Sequence, residues 1–387
     1  MSQEAITYLN EALDLLEHHS VKRSTIKWDV LRSELLSCVQ NMQTTAETYP
    51  LIRKALASLG DHHSFFLAPD EVSRFEEGVF KNVGLLAVYP QGTIVQVYEG
   101  SPAAQAGVQA GDRLEAINHV PIARLGIEAF KGSLQESACV TLTLKRKVHQ
   151  RSYTVTLAAV KYPLVAKPQG GRLPQQVGYL DLPGIVGSDE MLSAYTAMLQ
   201  DLIRELDQAF LRGWVVDLRR NTGGNMIPML TGLGPILGEG ELGAFVDPDG
   251  RAMPWKYHNG QIHIGEWAGV KYETPYVLKQ LHQPVAVLSS CLTASSGELV
   301  LLAFYGRAQT RVFGEETAGV PTANQGMKLK DGAMIHLTIA LGADRTGKTY
   351  DSPLAPDTYI EPDWTQFGTE RDPVLAAALE WLHERSQ

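Results

Sequence analysis

The chain has 387 residues, 44% of them hydrophobic and 20% charged, which is enough apolar material for a sizeable core and for two or three domains. Its formal charge of −9 comes from acidic and basic residues interspersed rather than in runs, which argues against nucleic acid and anionic membrane as partners. Cys38, Cys139 and Cys291 lie far apart with no metal-ligand spacing and fit a reducing compartment.

At the N-terminus, Ile6, Leu9, Leu13 and Leu16 recur at helical spacing among acidic residues, a pattern of neither a signal peptide nor a membrane span. A cytoplasmic location is expected, or a periplasmic or extracellular one if a leader has been removed. Residues 1–77 read as a helical region, whose last helix ends at Gly60, a residue suited to a C-cap. Over 78–161 the pattern changes to short β runs with turn signals, a compact β-rich module. After a Pro/Gly-rich junction at 168–176, strands and helices alternate over 162–387, including a helix over 189–211, which argues an α/β core. The expected fold is therefore α/β (α+β) and multidomain.

Within the β-rich module, SPAAQAGVQAGDRLEAINHVPI combines a Ser-Pro helix start, small residues along a short helix, and Ala-Gly-Asp-Arg-Leu entering a strand. This resembles the PDZ domains of proteases. In that family a Gly-containing loop and the strand after it take a peptide's C-terminus by strand addition, and Val83, Gly84, Leu85 and Leu86 occupy that position. A glycine suits such a loop because amides converge on an anion only where the chain adopts unusual dihedrals. The other reading makes Gly84 a strand-entry residue and the module a spacer or lid.

LSSCLTASSGELVLLAFYG places a strand, a small-residue turn and an apolar helix in succession, with Ser295 and Ser296 at the turn. A serine there is commonly a helix N-cap, but free N–H groups at a helix start can also stabilise an oxyanion. DLRRNTGGN follows a strand, and Gly224 could supply a second N–H; the phosphate-loop pattern GxxxxGK[ST] is absent. LGDHHSFFLAPDE precedes the β-rich module and carries His63.

Taken in order, G-D-x-H-S-x-F, a PDZ-like module, D-L-R-x-N-x-G-G and T-A-S-x-x-E resemble the tail-specific, C-terminal processing peptidases and the tricorn core protease of the same clan. The resemblance covers nearly the whole chain and implies a crotonase-like catalytic core with the PDZ inserted. It also implies Ser295 as nucleophile, Gly224 and Ser296 as oxyanion donors, and His63 as the first-motif histidine. Neither cofactor nor metal is implied, since adjacent Asp61, His62 and His63 are poorly placed to share an ion. The expected partners are unfolded polypeptides or C-terminal tails, with no membrane insertion and homo-oligomerisation left open.

One departure changes the mechanism. Peptidases of the Ser-Lys kind place their lysine where this chain has Val320, a side chain without a proton acceptor. Lys328 and Lys330 fall too far along the next strand to replace it. In the tricorn-like branch the histidine serves as base, with an acidic residue behind it. His63 is then the expected base and His62 its substitute, an imidazole being suited to this near neutrality. Asp351 is the expected third member, with Ser64 and Glu298 as local alternatives. The competing expectation is an inactive homologue that binds polypeptide tails as a scaffold.

Overall fold

The computed structural model describes residues 3–39, 42–135, 138–146, 150–163, 167–208 and 210–385. Helices Gln3–His19, Trp28–Cys38 and Tyr49–Leu59 bury Leu9, Leu13, Leu16, Leu35, Ile52 and Leu56 together. The same cluster contains Ile335 and Leu337, far along the chain, so these helices share a core with the last third of the protein. Tyr8 and Tyr49 fix the contact by donating to the two oxygens of Asp331, each at 2.7 Å. Gly60 ends the third helix at φ +66°, as a left-handed C-cap. The short strand Phe65–Leu67 then pairs antiparallel with 334–336 and carries the His63 loop onto the core.

The β-rich module is enclosed by the antiparallel pair Val79–Asn82 and Val160–Pro163. Between them lie the hairpin Leu85–Ala87 with Ile94–Val97, a sheet built on Arg113–Ile117, Val140–Lys145 and Ser152–Leu157, and helices Pro102–Gln105 and Ile127–Gln135. Leu114, Leu142, Leu144, Ile94 and Phe130 give it a separate core. It touches the rest of the molecule where Val88 and Val95 pack on Trp364 and where Arg220 donates to the Val95 carbonyl at 3.3 Å.

In the third part, a six-stranded sheet runs in the order Gln169–Leu173, Val177–Asp181, Gly213–Asp217, Val285–Ser289, Thr310–Gly314, Thr358–Tyr359. All neighbours after the first pair are parallel. Gly213–Asp217 and Val285–Ser289 are buried throughout, as parallel strands covered on both faces must be. Helices Asp189–Leu206, Met226–Leu237 and Ser296–Leu302 lie against one face, and the closing helix Pro373–Arg385 covers the other with Trp381 and Leu382. A second sheet of eight strands gathers around the long strand Met334–Ala343. The molecule is thus α/β and multidomain.

Three details differ from expectation. The helix expected over 189–211 stops at Leu206, because the buried Asp207 carboxylate accepts from Tyr276 Oη and the Lys279 N–H. Residues 169–173, within the expected junction, form an edge strand. Strands Gly240–Val246, Ala252–His258, Gln261–Ile264 and Trp267–Ala268 form a meander where alternation was expected. Among the described residues no helix is long and apolar enough to cross a membrane.

Candidate active site

Two turns at the C-terminal ends of neighbouring parallel strands meet here. The turn after Gly213–Asp217 is anchored by Arg219, whose guanidinium pairs with both Asp217 and Asp372 in full burial. The turn after Val285–Ser289 is stapled to it: Ser290 Oγ donates to the Arg219 carbonyl at 2.7 Å, Thr293 Oγ1 to Leu218 at 2.8 Å, and the Ala294 N–H to Asn221 at 2.9 Å.

That clamp delivers Ser295 at the head of Ser296–Leu302 with φ +52° and ψ −120°. A non-glycine residue there stores roughly 1–3 kcal/mol and persists only where its surroundings over-determine it. The over-determining group is Glu298, fully buried. Its Oε2 accepts the N–H groups of Ser295 at 2.8 Å and Val320 at 2.9 Å, while Oε1 accepts Gly319 N–H at 2.9 Å and the Thr317 hydroxyl. Burial pushes the Glu298 carboxyl upward, and these four donors oppose the push.

Gly224 faces this turn. A Cβ there would meet the Ile185 carbonyl oxygen at 2.2 Å, and one on Gly223 would meet Ser295 Cβ at 2.8 Å, so the strands close only on glycines. Ser296 Oγ donates to the Gly224 carbonyl at 2.6 Å. Among the described residues the N–H groups of Gly224 and Ser296 have no hydrogen-bond partner, which leaves two free donors beside the serine.

His63 sits on the loop before Phe65–Leu67. Its N–H and that of Ser64 donate to Asp61 Oδ1 at 2.9 and 2.8 Å, and its carbonyl accepts from Asn324 Nδ2 at 2.8 Å. On the ring, Nδ1 lies 2.6 Å from Thr322 Oγ1. Burial, against the opposing charge of Asp61 and reinforced by His336, lowers the imidazole pKa to about 4, so the ring is neutral at pH 7. His63 connects to the serine turn through Thr322, whose N–H donates to the Val320 carbonyl at 2.8 Å, and Val320 in turn shares Glu298 with Ser295.

Other expected residues fall elsewhere. Asp351 is exposed and lies 3.8 Å from Lys22, and among the described residues it makes no contact with His63; the group on Nδ1 is Thr322. Lys328 pairs with Glu76 at 3.1 Å and Lys330 lies over the Tyr8 ring. His62 is exposed, and Ser64 Oγ is spent on Asp61 Oδ2 at 2.6 Å. In the PDZ-like loop, Val83 is buried and its N–H donates to the Leu134 carbonyl at 3.0 Å, and the Gly84 N–H donates to Asn82 Oδ1 at 2.6 Å. Leu85 and Leu86 pair with Val97 and Gln96.

Residues 176–363 match peptidase family S41, and residues 93–146 match a PDZ domain. The segment 176–363 is of the S41 peptidase type. The chain is 32% identical to the nisin-resistance protein of Lactococcus lactis over 204 residues, which is 52% of this chain and 59% of that one. It is 26% identical to carboxyl-terminal-processing peptidase 2 of Arabidopsis thaliana over 366 residues, 87% of this chain and 66% of that one. It therefore spans less than two thirds of the length of either relative. The photosystem II D1 C-terminal processing protease has the same fold, with a TM-score of 0.64, 22% identity, and 97% and 100% of the two chains covered.

Sequence reasoning about this site missed Thr322 and Asn324. Both sit on Thr322–Lys328, a strand recognisable only through its pairing with Met334–Ala343, and nothing local to either residue marks it as a neighbour of His63.

Proposed function

We propose that this chain is a serine endopeptidase acting on unfolded or extended polypeptide, with Ser295 as nucleophile and His63 as general base. The observation that carries the proposal is the strained serine held between two N–H donors that nothing else uses. The family match and the names of the processing peptidases among its relatives support the same class of reaction.

In this reading His63 Nδ1–H donates to Thr322 Oγ1, which leaves Nε2 as the acceptor. Nε2 takes the Ser295 hydroxyl proton as Oγ attacks the scissile carbonyl carbon. The carbonyl oxygen becomes anionic and receives the Gly224 and Ser296 N–H groups. When the tetrahedral species collapses, His63 passes its proton to the leaving amine and an ester remains on Ser295. Water, deprotonated by His63, then hydrolyses the ester and restores the serine. A base already neutral at pH 7 needs no positive neighbour, which suits a site where the lysine position holds Val320.

Capture of a polypeptide tail by the PDZ-like module is the second part of the proposal. Because the amides of Val83 and Gly84 are engaged internally, the opposite edge of Leu85–Ala87, which no strand pairs among the described residues, is the surface for an added tail.

The test is cleavage of casein together with labelling by a fluorophosphonate. Labelling and cleavage by the wild type, both lost in Ser295→Ala and reduced in His63→Ala, are expected. A folded wild type that neither cleaves nor labels would instead favour the tail-binding scaffold.

A further inference from the structure

The long strand Met334–Ala343 lacks a strand partner along the middle of one edge, among the described residues. His336 pairs with both Phe65 and Gly326, and Leu341 with both Val246 and Thr322. Strands Phe65–Leu67 and Gly240–Val246 therefore share one edge and leave 337–340 between them. Thr338, fully buried, lies in that gap. Its N–H donates to Ser64 Oγ at 2.9 Å and its carbonyl accepts the Val21 N–H at 2.9 Å, so both buried backbone groups are met. A side chain of the histidine loop thus stands in for a neighbouring strand.

The Thr338 hydroxyl holds the other end of the same dipeptide. It donates to Asn324 Oδ1 at 2.9 Å, and Asn324 Nδ2 donates to the His63 carbonyl at 2.8 Å. With its oxygen taken by the hydroxyl, the Asn324 amide turns its NH2 toward His63. Ser64 Oγ, 3.2 Å from Thr338 Oγ1, donates to Asp61 Oδ2 at 2.6 Å, and Asp61 Oδ1 accepts the N–H groups of His63 and Ser64. The hydrogen bonds close a ring around His63 and Ser64, and Thr338 is its fully buried member.

We propose that Thr338 is a positioning residue for His63: its N–H and hydroxyl grip the His63–Ser64 dipeptide from both ends and so set where the imidazole sits. The proposal rests on the peptidase reading for the role of His63, though not for its test. Thr322 fixes the ring through Nδ1 at 2.6 Å, whereas Thr338 fixes the backbone that carries it.

The experiment reads His63 directly in Ser295→Ala protein labelled with ¹³C-histidine, its resonance assigned by His63→Gln. Burial, opposed by Asp61 and reinforced by His336, holds the ring's pKa at about 4. In Thr338→Val the Asn324 amide loses the donor that orients it and the loop is released, so the ring should gain solvent and titrate toward the ordinary value of about 6.5. Thr338→Ser, which keeps the hydroxyl, should still titrate at about 4. Asn324→Leu, at a half-buried position, removes the same grip without touching the core and should follow the valine variant, whether or not the latter folds. With Ser295 intact, the rate of fluorophosphonate labelling should fall about tenfold in Thr338→Val, the scale of one hydrogen bond, and recover in Thr338→Ser. Circular dichroism across the pH range establishes which variants are folded. Folded Thr338→Val or Asn324→Leu protein in which His63 still titrates at about 4 overturns the proposal, whatever the loss in melting temperature. Valine and serine variants that titrate alike overturn it too. Failure of the peptidase reading appears separately, as wild type that is not labelled while the titration responds as expected.

Discussion

Ser295 and Val320 donate their backbone N–H groups to the same oxygen, Oε2 of Glu298, at 2.8 and 2.9 Å. One buried carboxylate thereby fixes both the dihedral angles of the proposed nucleophile and the segment leading to Thr322, the partner of His63. Glu298→Gln keeps the shape but turns an NH2 group toward N–H donors. The expected outcome is a loss of about 100-fold in kcat, the scale for a misplaced reacting group, with KM little changed. A fall in stability of roughly 1–3 kcal/mol should accompany it. Steady-state kinetics and urea melts check both.

The depressed pKa of His63 sets a pH dependence. The ring stays neutral, and so competent as a base, until pH falls to about 4. The acid limb of kcat/KM should therefore centre near pH 4 and show no inflection near the ordinary histidine value of about 6.5. For stability, the unfolded chain takes this proton first. The contribution of a neutral His63 is complete above the unfolded value and is lost as pH falls through about 4. An acid limb centred near about 6.5 would mean that the His63 imidazole is not depressed in the working enzyme.

Thr322 replaces a carboxylate as the group on Nδ1. Loss of one hydrogen bond that selects the tautomer corresponds to about tenfold, so Thr322→Val should lower kcat by that order with KM held. Thr322→Ser should restore it. Equal kinetics in the valine and serine variants would reduce the threonine to packing.

Arg219 carries no chemistry in the proposed reaction, yet its removal should be the costliest single change near the site. Arg219→Met leaves Asp217 and Asp372 buried together without their cation, a situation worth about 3–5 kcal/mol of destabilisation. Chemical denaturation measures it. Arg219→Lys should recover only part, because a single ammonium cannot reproduce the forked contacts to two carboxylates.

If tails add along Leu85–Ala87, peptides should bind Ser295→Ala protein through main-chain contacts, and proline at alternate peptide positions should abolish binding. Fluorescence anisotropy with free and amidated C-termini separates two cases. Equal affinity is expected if the engaged amides of Val83 and Gly84 stay engaged. A strong preference for the free carboxylate would mean that the loop opens.

What could be read from the sequence was whatever a short segment determines by itself. The glycine that ends Tyr49–Leu59, the serine cap at Ser101, and the strand-turn-helix around Ser295 each follow from neighbouring residues. The meander at 240–268 left a usable signal in Asn259-Gly260, a turn pair between alternating strands. By contrast, the 2.6 Å contact of His63 with Thr322 joins residues on separate elements through a strand pairing that no local pattern encodes. Asp351 was expected behind the histidine from an alignment in a loop-rich stretch, where one or two positions of slippage move a side chain to solvent.

The backbone of residue 320 is tethered to the same carboxylate that shapes the nucleophile, whereas its side chain takes no part in that tether. In the proposed mechanism, positioning and proton acceptance are therefore separable parts of this scaffold. A base could be exchanged at the rim without first rebuilding the serine turn.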